Sequence, residues 1–140
     1  MSIYLDASCL VSTLVEEPAS GAVRAYLATR QDRLVSEFAA AEVASALSRL
    51  VRTGLLTAAE GAARLADFDA WRAATSSPVD VHAADVRLAY AYVRRFELML
   101  RAPDALHLAI ALRIDATLVT LDGRLARAAQ ELGVTFEALG

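Results

Sequence analysis

Two rhythms of apolar and polar positions run along the chain. Short apolar runs of strand length occur at residues 3–5, 34–35, 78–82, 116–121 and 134–136. Between them the apolar positions recur with helical spacing. Residues 9–14 read as a first helical turn, and Ser20 is placed to cap a helix reaching about Thr29. Ser36, after the second strand, is placed to cap the next helix, and in residues 39–53 the stripe is Ala39, Val43, Ala46, Leu47, Leu50 and Val51, closed by Thr53-Gly54. Thr57-Ala-Ala-Glu60 is a capping box that opens the next helix, which carries Leu65, Phe68 and Trp71 and fades by Thr75. The two should form a helical hairpin, with apolar surface left over for a partner. A further helix starts at Ala83, with Val86, Ala89, Tyr90 and Val93 on its core face and Arg87 and Arg94 on another. Pro103 suits a first helical turn, and Leu106, Ala109, Ile110 and Leu112 make the helix after it apolar almost all round. A last helix fills 123–132, closed by Gly133. Strands alternating with helices predict an α/β fold: a three-layer sandwich whose central, mainly parallel sheet is flanked by helices. Residues 1–140 suit one domain with a real core.

Four acids stand out against this pattern. Asp6 directly follows the first strand. Asp122 follows the strand 116–121, at an Asp-Gly turn. Asp104 opens the buried helix after Pro103. Strand C-termini and the helix starts after them share one rim of a parallel sheet, where such sheets bind ligands. Glu42 lies about 100° from the centre of its helix's apolar stripe, at the edge of the buried face. Each acid has an ordinary alternative: Asp104 and Asp122 as helix caps, Glu42 as a solvated helix-edge residue. Their conjunction is the signal. Clustered carboxylates repel one another and lose hydration, which a hard divalent cation relieves. Mg²⁺, or Mn²⁺ in its place, would also activate water and stabilise charge on a phosphodiester.

Composition bounds the partners. All fourteen basic residues are arginine, against seventeen acids, for a net charge of −3. Once four carboxylates are committed to a metal, the balance turns slightly positive, and arginine forks suit phosphate. A GC-rich genome that favours Arg and Ala codons explains the same composition. A single cysteine, Cys9, excludes an internal disulfide. No apolar run approaches the ~20 residues of a membrane span, and MSIYLDAS lacks a basic signal-peptide start. A cytoplasmic protein is expected.

These residues also carry a resemblance. Asp6-Ala7-Ser8 after the first strand resembles the opening of PIN domains, in particular VapC-type toxins. Glu42-Val43 with Ala46-Leu47 and Arg49 is similar to their second motif, Arg101-Ala-Pro-Asp-Ala-Leu-His-Leu-Ala to their third, and Thr120-Leu121-Asp122 with Arg124-Leu125-Ala126 to their fourth. The resemblance runs from about residue 3 to 136. It implies a Mg²⁺- or Mn²⁺-dependent endoribonuclease, metal ligation by Asp6, Glu42, Asp104 and Asp122 with Ser8 assisting, a homodimer, and a cognate VapB-like antitoxin that occupies the site.

Other residues fit ordinary roles. His107, one turn after Asp104, reads as a core group or a support for the site. His82 has no partner at metal spacing, Cys9 reads as a small buried hydrophobe, and Asp115 should sit at the opposite rim. Arg87, Arg94 and Arg95 form a solvated face that could also line an RNA path, and Tyr90 and Tyr92 suit packing or base stacking. A receiver-type signalling domain would share the size and the acids but needs a lysine at a strand end, and the chain has none. A P-loop fails for the same reason, and no GxGxxG supports dinucleotide binding. A non-catalytic interaction module on the same fold stays open at this point. No serine, cysteine or histidine constellation offers a covalent nucleophile with its base. Attack by a metal-activated water on a structured RNA is therefore the expected chemistry.

Overall fold

The computed structural model describes residues 1–140. Five strands, β1 (Ile3–Leu5), β2 (Arg33–Ser36), β3 (Ser76–Val79), β4 (Thr117–Thr120) and β5 (Phe136–Ala138), form one sheet in the order β3-β2-β1-β4-β5. Every pairing is parallel. Seven helices accompany them: α1 (Ala7–Leu14), α2 (Ser20–Ala28), α3 (Glu37–Arg52), α4 (Ala58–Thr75), α5 (Ala83–Val93), α6 (Ala102–Arg113) and α7 (Gly123–Leu132). A 3-10 turn at Phe96–Leu98 links α5 to α6. None of the helices is long and apolar enough to cross a membrane.

The strand period of two divides the interior into two cores. Ile3, Leu5 and Val119 face one side and pack with Leu10, Val23, Val43 and Phe68 of α1 to α4. Tyr4 and Leu118 face the other and pack with Ala89, Leu108, Ile110 and Leu125 of α5 to α7. A sheet apolar on both faces must be covered on both, and the three expected layers result. Local chemistry sets several boundaries as expected. Ser36 caps α3 by accepting from Ala39 N–H at 2.9 Å. Thr57 and Glu60 form the capping box of α4.

Four local expectations need correction. Ser20 does not cap α2, since Ala19 holds that position. Instead its buried hydroxyl donates to Ser12 O (2.7 Å) and accepts from Glu17 N–H (2.8 Å), tying α2 to α1. The third strand lies at Ser76–Val79 rather than 78–82, because the Asp85 carboxylate draws in His82 N–H (2.8 Å) and starts α5 there. The last strand begins at Phe136 rather than Val134, whose N–H closes α7 onto Ala129 O at 2.9 Å, past Gly133 in the left-handed region. On α5, Val86 (54% exposed) and Tyr90 (66%) face outward. Ala89 and Val93 pack on the core as expected, but Asp85 and Tyr92 turn inward in place of Val86 and Tyr90, because an ion pair between Asp85 and Arg113 sets the rotation of α5 against α6. The spare apolar surface is therefore on α5. On the hairpin, Leu55 is the only large apolar residue left exposed.

Candidate functional site

β1 and β4 are neighbours at the centre of the sheet, but the chain leaves them toward opposite edges, β1 toward β2 and β4 toward β5. This reversal opens a crevice at their C-terminal ends. Asp6 follows β1 and Asp122 follows β4, one on each side of it. Each also caps the next helix. Asp6 accepts from Cys9 N–H (3.1 Å), and Asp122 Oδ1 accepts from Arg124 and Leu125 N–H (2.9 and 3.4 Å). Asp104 stands in the first turn of α6, with Pro103 before it. Ser8, Glu42, Asp104 and Asp122 all line one cleft of about 680 Å³, together with Arg49, Arg52 and Arg101.

Asp6 lies beneath the cleft, 4% exposed. Its Oδ1 accepts from Ser8 Oγ at 2.6 Å as well as from Cys9 N–H, and its Oδ2 accepts from Thr120 Oγ1. Three donors hold this carboxylate in one orientation. Ser8 Oγ also accepts from Leu121 N–H (3.0 Å), and Thr120 Oγ1 accepts from Asp122 N–H (2.9 Å). The two hydroxyls thus lock the end of β4 against the start of α1. The sequence reading assigned no role to Thr120; its position two residues before Asp122, on the same strand end, was the available signal.

Glu42 reaches the cleft from α3, with His107 Nε2 bonded to its Oε1. His107 is 3% exposed, so it supports Glu42 from the core side. Asp104 is only partly satisfied. Burial holds its carboxyl above the ordinary carboxylate value. The Arg101 guanidinium, 3.7 Å away, pulls it down, and the negative charge of Asp122 pushes it up again.

The donor set fits a hard cation. Every inward-facing ligand atom is oxygen. Asp122 Oδ2 and Glu42 Oε2 take no hydrogen bond from the protein, although their partner oxygens do, and Asp104 is held by Arg101 alone, through its guanidinium and its backbone N–H. No three His, Cys, Asp or Glu side chains are drawn into a preformed cage. Mg²⁺ characteristically takes one or two carboxylates, keeps several waters and completes its shell with substrate phosphate.

The remaining residues fall elsewhere. His82 is exposed at the start of α5. Cys9 is fully buried, and burial, with Asp6 beside it, pushes its thiol up. Asp115 sits with positive φ between α6 and β4, at the far rim. Arg87, Arg94 and Arg95 do not line the cleft. Arg94 lies over the Tyr90 ring at 5.4 Å, and Arg95 pairs with Glu97 at 2.9 Å. The cleft's arginines are Arg49, Arg52 and Arg101.

Known proteins resemble this chain in sequence and in fold. The PIN domain family model matches residues 3–131. Ribonuclease VapC46 of Mycobacterium tuberculosis is 38% identical over 136 residues, covering 95% of this chain and 94% of that protein. Ribonuclease VapC3 of the same species is 38% identical over 127 residues, covering 90% and 86%. Among solved structures, Mycobacterium tuberculosis VapC20, a Sarcin-Ricin loop cleaving toxin, superposes with a TM-score of 0.72 at 19% identity, covering 91% of this chain and 95% of that one. VapBC2 from Rickettsia felis, bound to a DNA fragment from its promoter, gives 0.71 at 17% identity, covering 99% and 98%. The chain belongs to the PIN-domain family, in its VapC branch.

Proposed function

We propose that this chain is a Mg²⁺-dependent endoribonuclease, the toxin of a toxin–antitoxin pair, and that it hydrolyses RNA with water as the nucleophile. The observation that carries this reading is one cleft holding half-satisfied carboxylates beside three arginines. Curated relatives that span nearly the whole chain at 38% identity are named ribonucleases, which supports it. Asp6, Glu42, Asp104 and Asp122 would hold the ion, Asp6 from the floor of the cleft. Bound Mg²⁺ (or Mn²⁺) supplies a water of lowered pKa and charge stabilisation for the phosphoryl group. Arg49, Arg52 and Arg101 would grip RNA phosphates through their planar forks. Ser8 would assist by positioning, since its hydroxyl donates to Asp6 Oδ1 and accepts from Leu121 N–H. Water attack needs no ribose 2′-OH, so the products should carry a 5′-phosphate and a 3′-OH. With a net charge of −3, the chain has little general attraction for phosphate, and selection must come from RNA shape and unpaired bases.

The partners follow from the same reading. A VapB-like antitoxin would cover the cleft, and two copies of the chain would pair in the cytoplasm. The shallow apolar groove between α5 and α6, about 440 Å³ with Phe38, Val86, Tyr90 and Leu106 on its walls, suits that pairing. Tyr90→Arg should convert the dimer to a monomer in sedimentation; an unchanged sedimentation coefficient would move the interface elsewhere.

The deciding experiment is cleavage of a structured RNA with Mg²⁺, with excess EDTA, and with Asp6→Asn. The hydroxyls of Ser8 and Thr120 can rotate to suit an amide at position 6, so that variant should fold as the wild type does by circular dichroism. Cleavage should need the ion and fall about 100-fold or more in the variant, as loss of several kcal/mol of charge stabilisation implies. A 2′,3′-cyclic phosphate on the fragments, seen by mass spectrometry, would overturn the water mechanism.

A further inference from the structure

Glu42 is the one site carboxylate that reaches the cleft from the middle of a helix, with no backbone N–H to steady it. What steadies it is a chain of side chains running into the core. His107 Nε2 bonds to Glu42 Oε1, and His107 Nδ1 lies 2.7 Å from Tyr4 Oη. Tyr4 Oη lies 2.8 Å from Ser36 Oγ, and Ser36 Oγ accepts from Ala39 N–H at 2.9 Å. Tyr4 and Ser36 are fully buried. Burial also pushes the Tyr4 phenol up, so it keeps its proton.

Counting protons gives this chain a direction. Each hydroxyl has one hydrogen to donate. Ser36 Oγ already accepts from Ala39 N–H, and Tyr4 is its acceptor. Tyr4 then donates onward, and only His107 Nδ1 is left to receive. A neutral imidazole acceptor at Nδ1 carries its proton on Nε2, which faces the Glu42 carboxylate. Every donor then has an acceptor. In the reverse direction, Ser36 would hold a buried O–H with no acceptor, and an unprotonated Nε2 would face a carboxylate, lone pair against lone pair. The cost of leaving a buried hydrogen bond unmade decides between the two.

We infer that Tyr4 and His107 are positioning residues for Glu42: Ser36 and Tyr4 fix His107 as its Nε2–H tautomer, and that N–H holds one Glu42 oxygen so that the other faces the cleft. The Glu42 part of this rests on the metal-site reading above, whereas the tautomer does not. The relay joins β1, β2, α3 and α6, and of these α3 and α6 line the cleft. Groups that orient a metal ligand in this way are worth 10–100-fold in metal affinity when removed.

The test uses two measurements on the full chain. His82 and His107 are its only histidines, so a long-range ¹H–¹⁵N correlation spectrum shows two imidazoles, with exposed His82 as the internal reference. His107 should show a protonated Nε2 and an unprotonated Nδ1 in the wild type, and an averaged pattern in Tyr4→Phe. Calorimetry with Mg²⁺ should show about 10-fold or greater weakening in His107→Leu. In His107→Gln, whose amide can still donate to Glu42, most of the affinity should return. A protonated Nδ1 in the wild type, a His107 pattern untouched by Tyr4→Phe, or equal Mg²⁺ affinity in His107→Leu and wild type would each overturn the inference. The wild-type spectrum needs no variant to fold. Failure of the wild type to bind Mg²⁺ would instead remove the metal reading and with it the role given to Glu42, while the spectra would still decide the tautomer.

Discussion

Asp85 and Asp104 occupy the same place in adjacent helices, the third position of α5 and of α6, yet the protein treats them oppositely. Asp85 is 2% exposed. Burial alone would push its carboxyl up, but two bonds from Arg113 (2.7 and 3.0 Å) and one from His82 N–H (2.8 Å) hold it below the ordinary value. Asp104 has a single guanidinium at 3.7 Å, carried by the largely exposed Arg101, and its carboxyl stands above the ordinary value. Helix position is therefore no guide to role. A carboxylate with all its acceptors filled is holding two helices together, while one left half-satisfied beside another acid, with arginines across a cleft, is available to a ligand.

Exchanging the two acids for amides should separate these roles, and activity shows the largest effect. Asp104→Asn should lose about 100-fold or more of RNA cleavage, as expected for a ligand that supports several kcal/mol of charge stabilisation. Asp85→Asn, at matched concentration of folded protein, should cleave at close to the wild-type rate. Initial rates on one structured RNA compare them directly. Equal losses in both variants would dissolve the distinction.

Stability should show the opposite order. Removing one partner of a buried pair costs about 3–5 kcal/mol, and the partial exposure of Arg113 reduces this to about 2–3. Asp85→Asn should therefore lower the melting temperature by about 8 °C. Pairing it with Arg113→Met should recover part of the loss, since no charge is then stranded. Thermal unfolding of the two single variants and the double variant measures the coupling. Additive losses would show that the pair does not hold α5 against α6.

How legible these roles were in the sequence depends on how local their causes are. The caps at Ser36 and Thr57 act over three residues, so the starts of α3 and α4 could be read directly. Asp6 and Asp122 could be placed on one rim because a parallel sheet puts every strand end on the same side, and Asp104 because the helix it opens runs back to the start of β4 at the opposite rim. The rotation of α5 could not be read. Val86 and Tyr90 look like a core stripe, and only the pairing of Asp85 with Arg113, twenty-eight residues away, turns them outward. The edge strands β3 and β5 were misplaced because they are short and mostly polar or exposed, with little alternation to mark their register. The network from Ser36 through Tyr4 and His107 to Glu42 joins four elements with no periodic signature, although the sequence reading had already set His107 near the site.

The smallest effect is also the one whose sign most sharply separates the two acids. Asp104 has a folded-state pKa above its unfolded value, so the folded protein binds that proton more tightly than the unfolded chain. The stability it contributes is fully present below the unfolded pKa and is lost as pH rises through the folded one. Ionised Asp104 is thus a small liability at neutral pH. Asp104→Asn, measured without divalent ions, should melt at or slightly above the wild-type temperature at pH 7. That advantage should shrink as pH falls through the carboxylate range, where wild-type Asp104 becomes neutral. Asp85, with its pKa lowered, follows the opposite rule: its contribution is present above its unfolded pKa and is lost as pH falls through the folded one. The penalty of Asp85→Asn should therefore shrink on acidification as well, but from a destabilised starting point. Melting curves of both variants and wild type from pH 7 down to about pH 3 test this. An Asp104→Asn protein clearly less stable than wild type at pH 7 would mean that Arg101 and the N-terminus of α6 already satisfy that carboxylate, and the contrast with Asp85 would fail.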